Sequence, residues 1–401
     1  MTDLDIRVLD DAHYRAAHTL FRGTLHNGPA NDERWEQVRP SYEPGRTFGA
    51  FADDELVGTV QSFPSRLAVP GGAVVPMAAV SRVGVRADWT RRGALTALQR
   101  AQLRAFRESG EVAATLRASE GVIYERFGYG VASRFREVRV KRASARPRLP
   151  IRGRVRLVSP EAALPVVRSL FERLSRGRAG GIARWPGWWH TNVVMDQAEA
   201  NRKYAVASGP DGDDGYVIYK VTPGSFESGN EKPTLLEVLD LWASPRAWSD
   251  LWAFLFGIDL VGEVLAEGRP VDEPLEWLPV DRRAVRVTDE MDETWLRLVD
   301  VEAALSVRTY RSEGSVVIGV RDRFLPENEG AYLITPSGAS RTSSSPDFVV
   351  DVDVLGAAYL GDVSFGALAM AGRFAADSPE ALVRADALFA VDQVPWCGTY
   401  F

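Results

Sequence analysis

The chain has 401 residues, of which 45% are hydrophobic and 25% charged, a balance that excludes a disordered or fibrous protein. No stretch approaches the roughly 18 apolar residues of a membrane-spanning helix. The acidic N-terminus lacks the apolar segment of a secretory signal. A single cysteine, Cys397, cannot form an internal disulfide, and four histidines without paired spacing do not predict a zinc site. We therefore expect a cytoplasmic protein with no membrane span and no metal.

The charge is unevenly distributed along the chain. Residues 1–150 contain 23 Lys and Arg against 17 Asp and Glu, whereas residues 151–401 contain 25 against 37. The two parts therefore carry formal charges of +6 and −12. This division suits a phosphate-rich ligand on one side and a cationic ligand on the other, but it is also typical of solvated surface charge. Charge alone selects no function, and we expect no nucleic-acid partner.

The predicted elements of the first part alternate between helices and strands. In chain order they are a helix over residues 13–22, a hairpin of strands 47–52 and 56–63, a strand over 77–85, a helix over 91–108, a strand over 112–116, a short helix near 122–127 and a strand after residue 130. Residues 141–150 contain two prolines and are predicted to be a linker.

The middle of the chain repeats part of this order. Strands over residues 204–207 and 216–221 form a second hairpin, and a long strand over 234–242 precedes the next helix. Ser244 is the predicted N-cap of that helix and Pro245 its first residue. The order of hairpin, strand and helix indicates a diverged second copy of the first unit. Chance recurrence of common elements is the alternative.

The last part is predicted to begin with strands and to end in a packed tail. Strands are expected over residues 314–320 and 347–354, with helices over 355–365 and near 374–377. Asp351 and Asp353 are interpreted as exposed strand positions and not as metal ligands. The chain ends on the aromatic Phe401, whereas free tails are usually polar. An acidic break near 285–295 then predicts domains over residues 1–145, 146–290 and 291–401.

The most informative segment lies where a strand ends near Val85 and a helix begins around Arg91-Arg92-Gly93. Amide groups at a helix N-terminus favour anions, glycine permits close backbone approach, and arginine adds charge-assisted contacts. The turn thus predicts a diphosphate site, with a solvated helix cap as the alternative. The corresponding turn of the middle unit, at Ser244, lacks glycine and is not expected to be a second diphosphate site.

A second segment, Ser119-Glu-Gly-Val-Ile-Tyr-Glu-Arg-Phe-Gly-Tyr-Gly130, follows a predicted buried strand. Together, the two segments resemble the acetyl-CoA-binding region of the GNAT acetyltransferases, and the second is similar to the Eis group of multi-domain N-acetyltransferases. The resemblance covers the whole chain. It implies an α/β (α+β) fold of two tandem GNAT-like domains, the second degenerate, followed by a sterol-carrier-protein-like domain. It also implies a homo-hexamer.

The resemblance further implies roles for individual residues. Tyr124 corresponds to the tyrosine that protonates the departing thiolate, and the carboxylate of Phe401 to the group that helps deprotonate the substrate amine. The residues implied to bind acetyl-CoA are Val83, Gly84, Val85, Arg91, Arg92, Gly93, Ala94 and Ser119. His26 and Trp35 fall where the family builds its acceptor pocket, with core packing as the alternative. Thr90 departs from the family's usual Arg or Gln.

These residues lead us to expect an acetyl-CoA-dependent N-acetyltransferase. Its acceptor is expected to be a primary amine of an aminoglycoside-like polycationic small molecule, attacked directly in a ternary complex. Acetylation of protein lysines is one alternative. A non-catalytic lipid or acyl carrier that uses the C-terminal domain is the other.

Overall fold

The computed structural model describes residues 4–194, 201–225 and 232–401. The first unit confirms the predicted order of hairpin, strand, helix and strand. Asp53 and Asp54 both have positive φ, 48° and 62°, as a tight hairpin turn requires. The elements of this unit are β1 (Asp5–Val8), α1 (Asp11–Thr24), α2 (Asp32–Val38), β2 (Thr47–Ala52), β3 (Glu55–Ala68), β4 (Val74–Val85), α3 (Ala94–Glu108), β5 (Ala113–Leu116) and β6 (Gly130–Lys141).

The middle unit repeats the hairpin, the long strand and the helix. Its helix begins at Pro245 as predicted, because the Ser244 side chain accepts a hydrogen bond from the amide of Ala247. The elements are β7 (Arg154–Val158), α4 (Pro160–Leu174), α5 (Pro186–Trp189), β8 (Lys203–Gly209), β9 (Gly212–Thr222), β10 (Leu235–Ala243), α6 (Pro245–Gly257), β11 (Glu263–Pro270) and β12 (Val285–Leu298).

The last unit combines a small sheet with short helices. Its elements are α7 (Val301–Val307), β13 (Val316–Arg321), β14 (Gly330–Thr335), β15 (Gly338–Thr342), β16 (Phe348–Asp351), α8 (Val352–Tyr359), α9 (Phe365–Met370) and α10 (Pro379–Phe389). Its interior is filled by aromatic and aliphatic side chains, among them Tyr332, Tyr359 and Phe365, each at most 1% exposed.

Two sheets organise the chain. A 12-stranded sheet has the order β1-β2-β3-β4-β5-β12-β6-β11-β10-β9-β8-β7, and a four-stranded sheet has the order β15-β14-β13-β16. Within the large sheet, β6 pairs with both β12 and β11, so the sheets of the first two units are continuous. Across the described ranges, no helix has both the length and the apolar character needed to cross a bilayer.

The acidic segment near 285–295 is not a break between elements. It forms β12, which pairs with β5 through Trp295–Leu298 and with β6 along most of its length. The charged first half of the strand is exposed, whereas residues 293–298 are buried. The predicted domain limit at residue 290 therefore falls inside a strand, and the division at 145 and 290 stays a prediction.

The interpretation of Asp351 and Asp353 as exposed strand positions is confirmed for Asp351 and wrong for Asp353. Strand β16 ends at Asp351, and Asp353 lies in the first turn of α8, only 9% exposed. Its carboxylate accepts a hydrogen bond from Arg373 at 2.7 Å, whereas the exposed Asp351 pairs with Arg321 at 3.1 Å. Each carboxylate thus has an arginine partner.

Helix α8 packs directly on the large sheet and fixes the last unit in place. A Cβ atom at Gly130, the first residue of β6, would clash with the carbonyl oxygen of Asp353. A Cβ atom at Gly356 would lie 2.6 Å from the carbonyl oxygen of Leu296 on β12. At both positions the backbone of α8 contacts the backbone of the large sheet directly. These contacts fix the last unit against the first two, and the C-terminal tail then runs back to them.

Candidate active site

A cleft opens in the first unit where β4 and β5 part. The two strands pair in parallel over Met77–Ala79 and Ala113–Thr115, but β4 continues to Val85. The cleft encloses about 780 Å³. Of the residues implied by resemblance, it is lined by Val83, Gly84, Val85, Arg91, Gly93, Ala94, Ser119 and Tyr124.

A turn suited to an anion forms one part of the cleft wall. Gly93 has φ 92° and precedes α3, whose first amide groups have no partner within the helix. A Cβ atom at Gly93 would meet no atom within 4 Å, so the space beside this backbone is open. The turn therefore fits a diphosphate bound by main-chain amides, with Arg91 exposed at its edge.

Two side chains of this turn point elsewhere. Arg92 does not line the cleft, and its guanidinium carbon lies 5.0 Å from the ring centroid of Trp89. The Thr90 hydroxyl donates to the carbonyl oxygen of Ala87 at 2.9 Å. The structure thus brings Arg91, but not Arg92, to the cleft.

Tyr124 is a buried tyrosine on the cleft wall. It is 6% exposed and precedes a 3-10 turn at Glu125–Phe127. Burial raises its pKa to about 12, so the hydroxyl keeps its proton at neutral pH. Its hydroxyl makes no hydrogen bond to the described residues and its side chain lines the cleft, so the hydroxyl is available to a ligand there.

The neighbouring Tyr129 provides a contrast. The two ring centroids lie 6.0 Å apart, but Tyr129 is fully buried and does not line the cleft. Its hydroxyl is enclosed without a hydrogen-bond partner among the described residues. One tyrosine of the pair therefore faces a ligand site, and the other belongs to the core.

The C-terminal tail returns between the first two units, which confirms the prediction that it is packed. Glu293 of β12 is 0% exposed, and its carboxylate accepts hydrogen bonds from the amides of Cys397 at 2.8 Å and Gly398 at 2.9 Å. Arg184 donates to the carbonyl oxygen of Gly398 at 2.8 Å, and the Trp188 indole donates to that of Tyr400. Buried charge and main-chain contacts thus hold the tail.

The same tail reaches the continuation of β5. Arg117, two residues before Ser119, donates to Glu293 at 3.2 Å and more weakly to the carbonyl oxygen of Thr399 at 3.4 Å. Cys397 is 1% exposed, and burial raises the pKa of its thiol to about 11, which does not suit a nucleophile. The tail therefore contacts the segment that supplies Ser119 and Tyr124 to the cleft.

An aromatic wall leads from the first unit to the C-terminus. The ring of Phe63 on β3 stacks on Trp185 with centroids 4.5 Å apart, and Trp185 meets the ring of Phe401 edge-on at 6.0 Å. Phe63 and Trp185 are functional candidates that the sequence analysis did not identify. Arg82, directly before Val83, is a third. Their proximity depends on a strand bulge and on contacts between units, so no local sequence signal marks them.

The two implied acceptor residues have different surroundings. His26, at the end of α1, lines a hollow that shares Thr24, Val85 and Thr90 with the cleft. Trp35 is 6% exposed and packs against His18, at 5.7 Å between ring centroids. The structure thus places His26 beside the cleft and Trp35 in an aromatic cluster behind it.

Two of the three acidic side chains that line a cavity next to the tail are paired with arginines. A second cavity, of about 350 Å³, lies between the middle unit and the tail. Of the carboxylates that line it, Asp240 pairs with Arg184 at 2.6 Å and Glu293 with Arg117, whereas the exposed Glu267 has no ion pair with a described residue. In the described ranges, no three His, Cys, Asp or Glu residues group as metal ligands would.

Comparison with known proteins assigns all three units. Residues 5–132 and 180–298 each match an acetyltransferase (GNAT) domain family, and residues 301–398 match a sterol carrier protein domain. The order of two GNAT domains and a sterol-carrier-like domain is thereby confirmed.

Whole-length relatives extend this result. An uncharacterized N-acetyltransferase of Streptomyces avermitilis is 37% identical over 98% of both chains. N-acetyltransferase Eis of Mycobacterium bovis is 34% identical over 91% of both. The crystal structure of Eis1 from Mycobacterium abscessus is 40% identical and superposes with a TM-score of 0.90 over the full length of both chains.

Proposed function

The chain belongs to the Eis family of GNAT N-acetyltransferases, and we propose that it transfers the acetyl group of acetyl-CoA to a primary amine held between the cleft and the C-terminus. The observation that carries this proposal is the cleft between β4 and β5. It has an open, glycine-containing helix N-terminus in its wall, together with a tyrosine hydroxyl that is free for a ligand.

In this proposal, acetyl-CoA supplies an activated acetyl thioester. The main chain of Val83 and Val85 holds the pantetheine arm, and the amides of the Gly93 turn hold the diphosphate. The amine nitrogen forms a bond to the acetyl carbon while the carbon–sulfur bond breaks. The ammonium gives one proton to water before the attack, and the nitrogen gives up a second one after the new bond has formed. The sulfur takes one proton from Tyr124, which recovers it from water, so one proton is released overall and atoms and charge balance.

Tyr124 and Phe401 take separate parts in this proton transfer. Tyr124 donates a hydrogen bond to the departing sulfur. Its pKa of about 12 makes it a weaker acid than an ordinary tyrosine, so it stays protonated until the carbon–sulfur bond breaks. A terminal carboxylate, with a pKa near 3.5, is a weak base for an amine. The Phe401 carboxylate therefore orients the ammonium, and its proton leaves through water.

The identity of the acceptor is part of the proposal. An aminoglycoside-like polycation remains the prediction from the sequence, with protein lysines as the alternative. Of the carboxylates in the cavity near the tail, Asp240 and Glu293 are already compensated by arginines, and Glu267 alone among them could attract a polycation. Acceptor assays must therefore include amines of several charge types.

A lipid or acyl carrier is a weaker proposal. The interior of the sterol-carrier-like unit is occupied by its own rings, such as Tyr332, which is 0% exposed and donates to the carbonyl oxygen of Asn328 at 2.8 Å. A lipid would have to displace them. A hexameric assembly and a cytoplasmic location are also proposals, and light scattering of the purified protein tests the first.

The decisive experiment compares two neighbouring tyrosines. Tyr124→Phe is expected to lower kcat by about 100-fold or more, the usual contribution of a positioned acid. Tyr129→Phe removes an enclosed hydroxyl without a partner among the described residues and should leave kcat within about threefold. Thiol release reports turnover, and calorimetry should give the same acetyl-CoA affinity for both variants. Equal kcat values would contradict the role of Tyr124.

A second pair of variants tests Phe401. Deleting Phe401 removes the ring and moves the terminal carboxylate back by one residue. Adding one glycine after Phe401 keeps the ring and displaces the carboxylate alone. If the carboxylate orients the amine, both changes raise the KM for the amine and leave acetyl-CoA binding intact. Unchanged KM values in the extended chain would exclude this role.

A further inference from the structure

Arg82 occupies an unusual position on the strand that lines the cleft. Between the pairs Gln61–Ser81 and Thr59–Gly84 the register of β3 and β4 shifts, so Arg82 lies in a bulge. Its φ is 49°, which is uncommon for a residue other than glycine and persists where the surroundings impose it. The next residue is Val83, which lines the cleft.

The guanidinium of Arg82 packs against two aromatic rings. Its central carbon lies 4.7 Å from the ring centroid of Tyr42 and 5.4 Å from that of Phe63. One nitrogen donates to the side-chain oxygen of Gln61 at 2.7 Å. The Gln61 amide is held in turn by the carbonyl oxygen of Ser41 at 2.8 Å, so this neutral acceptor is fixed.

Arg82 differs from Arg117 and Arg184 because it has no counter-ion. Arg117 and Arg184 each lie within ion-pair distance of a carboxylate, whereas no carboxylate of the described residues lies within 4.0 Å of Arg82. Burial lowers the pKa of Arg82 from 12.5, but an arginine remains a cation at neutral pH. A partly buried cation without an anion is costly, so the site favours an anionic ligand group.

A second uncompensated charge borders the same wall. The Phe401 carboxylate also has no ion pair with any residue that the structure describes. Phe63, next to Arg82, stacks on Trp185, and Trp185 contacts Phe401. A row of contacting rings therefore connects a cation without a counter-ion to the C-terminal residue, whose carboxylate also lacks an ion pair among the described residues.

We propose that the acceptor is a zwitterion, a primary amine that also carries a carboxylate. This inference rests on the proposed acetyl transfer and specifies its substrate class. The substrate carboxylate pairs with Arg82, its hydrocarbon part packs on the half-buried Trp185, and its ammonium lies towards the Phe401 carboxylate. This arrangement selects for amino-acid-like amines and against polycations, because Arg82 repels a second positive charge.

The test uses matched amines that differ only in the carboxylate. L-phenylalanine is compared with phenethylamine, and 6-aminohexanoate with pentylamine. An aminoglycoside, a polyamine and a lysine peptide complete the panel. The wild-type kcat/KM is expected to favour the carboxylated member of at least one pair by about 10- to 100-fold, as for the loss of a hydrogen-bonded charge pair.

Substitutions then assign the preference to Arg82. Arg82→Gln should bring the ratio of kcat/KM between the two members of the preferred pair close to one, and Arg82→Lys should restore part of that ratio. Arg66→Gln, which removes an exposed arginine from the neighbouring strand β3, is the control and should keep the preference. Thermal melting and acetyl-CoA affinity confirm that each variant is folded.

The outcomes separate this inference from the proposed function. Turnover confined to amines without a carboxylate would overturn the inference and leave acetyl transfer intact. A carboxylate preference that survives Arg82→Gln would also overturn it. No turnover of any amine, despite bound acetyl-CoA, would overturn both.

Discussion

Replacing Glu293 by glutamine is expected to loosen the C-terminal tail and weaken catalysis together. The buried carboxylate accepts hydrogen bonds from four donors: Ser133, Arg117, and the amides of Cys397 and Gly398. Glutamine keeps one acceptor oxygen, and its amino group would face donors on the other side. Each charge-assisted hydrogen bond contributes about 1.5–3 kcal/mol, and such losses are not additive. We therefore expect the free energy of unfolding to fall by about 3–5 kcal/mol.

Urea unfolding and steady-state kinetics together measure this effect. The midpoint of unfolding should fall, and the KM for the amine should rise more than the dissociation constant for acetyl-CoA, since the tail borders the acceptor side. Glu290→Gln is the matched control on the same strand. Glu290 is exposed and pairs with Arg134, which retains Asp362 as a partner, so its loss should cost less than about 1 kcal/mol. Equal effects of the two substitutions would refute the proposed anchoring.

Two further predictions concern the cleft. Gly93→Ala should lower the free energy of unfolding by about 1–3 kcal/mol and weaken acetyl-CoA binding, because φ 92° strains any residue with a Cβ. The control is Gly257→Ala, at the end of α6 with an ordinary φ, which should be neutral or stabilising. Thermal melting and calorimetry with acetyl-CoA compare the two variants. Folded Tyr124 keeps its proton up to about pH 12, whereas an unfolded tyrosine loses it near pH 10. Its contribution to stability is therefore complete below pH 10 and is lost as the pH rises towards 12. Melting temperatures from pH 8 to 11 should fall less in Tyr124→Phe than in the wild type, and parallel curves would contradict this assignment.

Local signals explain most of what the sequence predicted about the fold. Neighbouring residues determine the Asp53–Asp54 turn, the Ser244 cap and the apolar strands. The sequence pattern therefore predicts them. Strand β12 was missed because its first half is acidic and exposed, and it becomes a strand only by pairing with β5 and β6. Similarly, Asp353 looks like part of an alternating strand until the contact with Arg373 and the start of α8 are known.

The site shows the same limit. The turn at Gly93 and the position of Tyr124 follow from contiguous segments, and the structure brings them into one cleft. The predicted roles of Arg92 and Trp35 required their side chains to point into the cleft. Arg92 instead packs on Trp89 and Trp35 on His18, and the sequence does not reveal these contacts. Arg82 could not be identified from the sequence. Its position results from a strand bulge, and its lack of a counter-ion is known only once the ion pairs of Arg117 and Arg184 are known.

The insertion of β12 between β5 and β6 has a consequence for synthesis of the chain. The first unit's sheet is incomplete until residues 295–298 have left the ribosome, although β5 ends at Leu116. At about 5–20 residues per second, the edge of β5 waits on the order of ten to thirty seconds for its neighbour. During that interval the nascent chain exposes an unpaired, apolar strand edge. We therefore expect truncated chains that end before β12 to aggregate or to recruit chaperones, whereas the complete chain folds as one cooperative body.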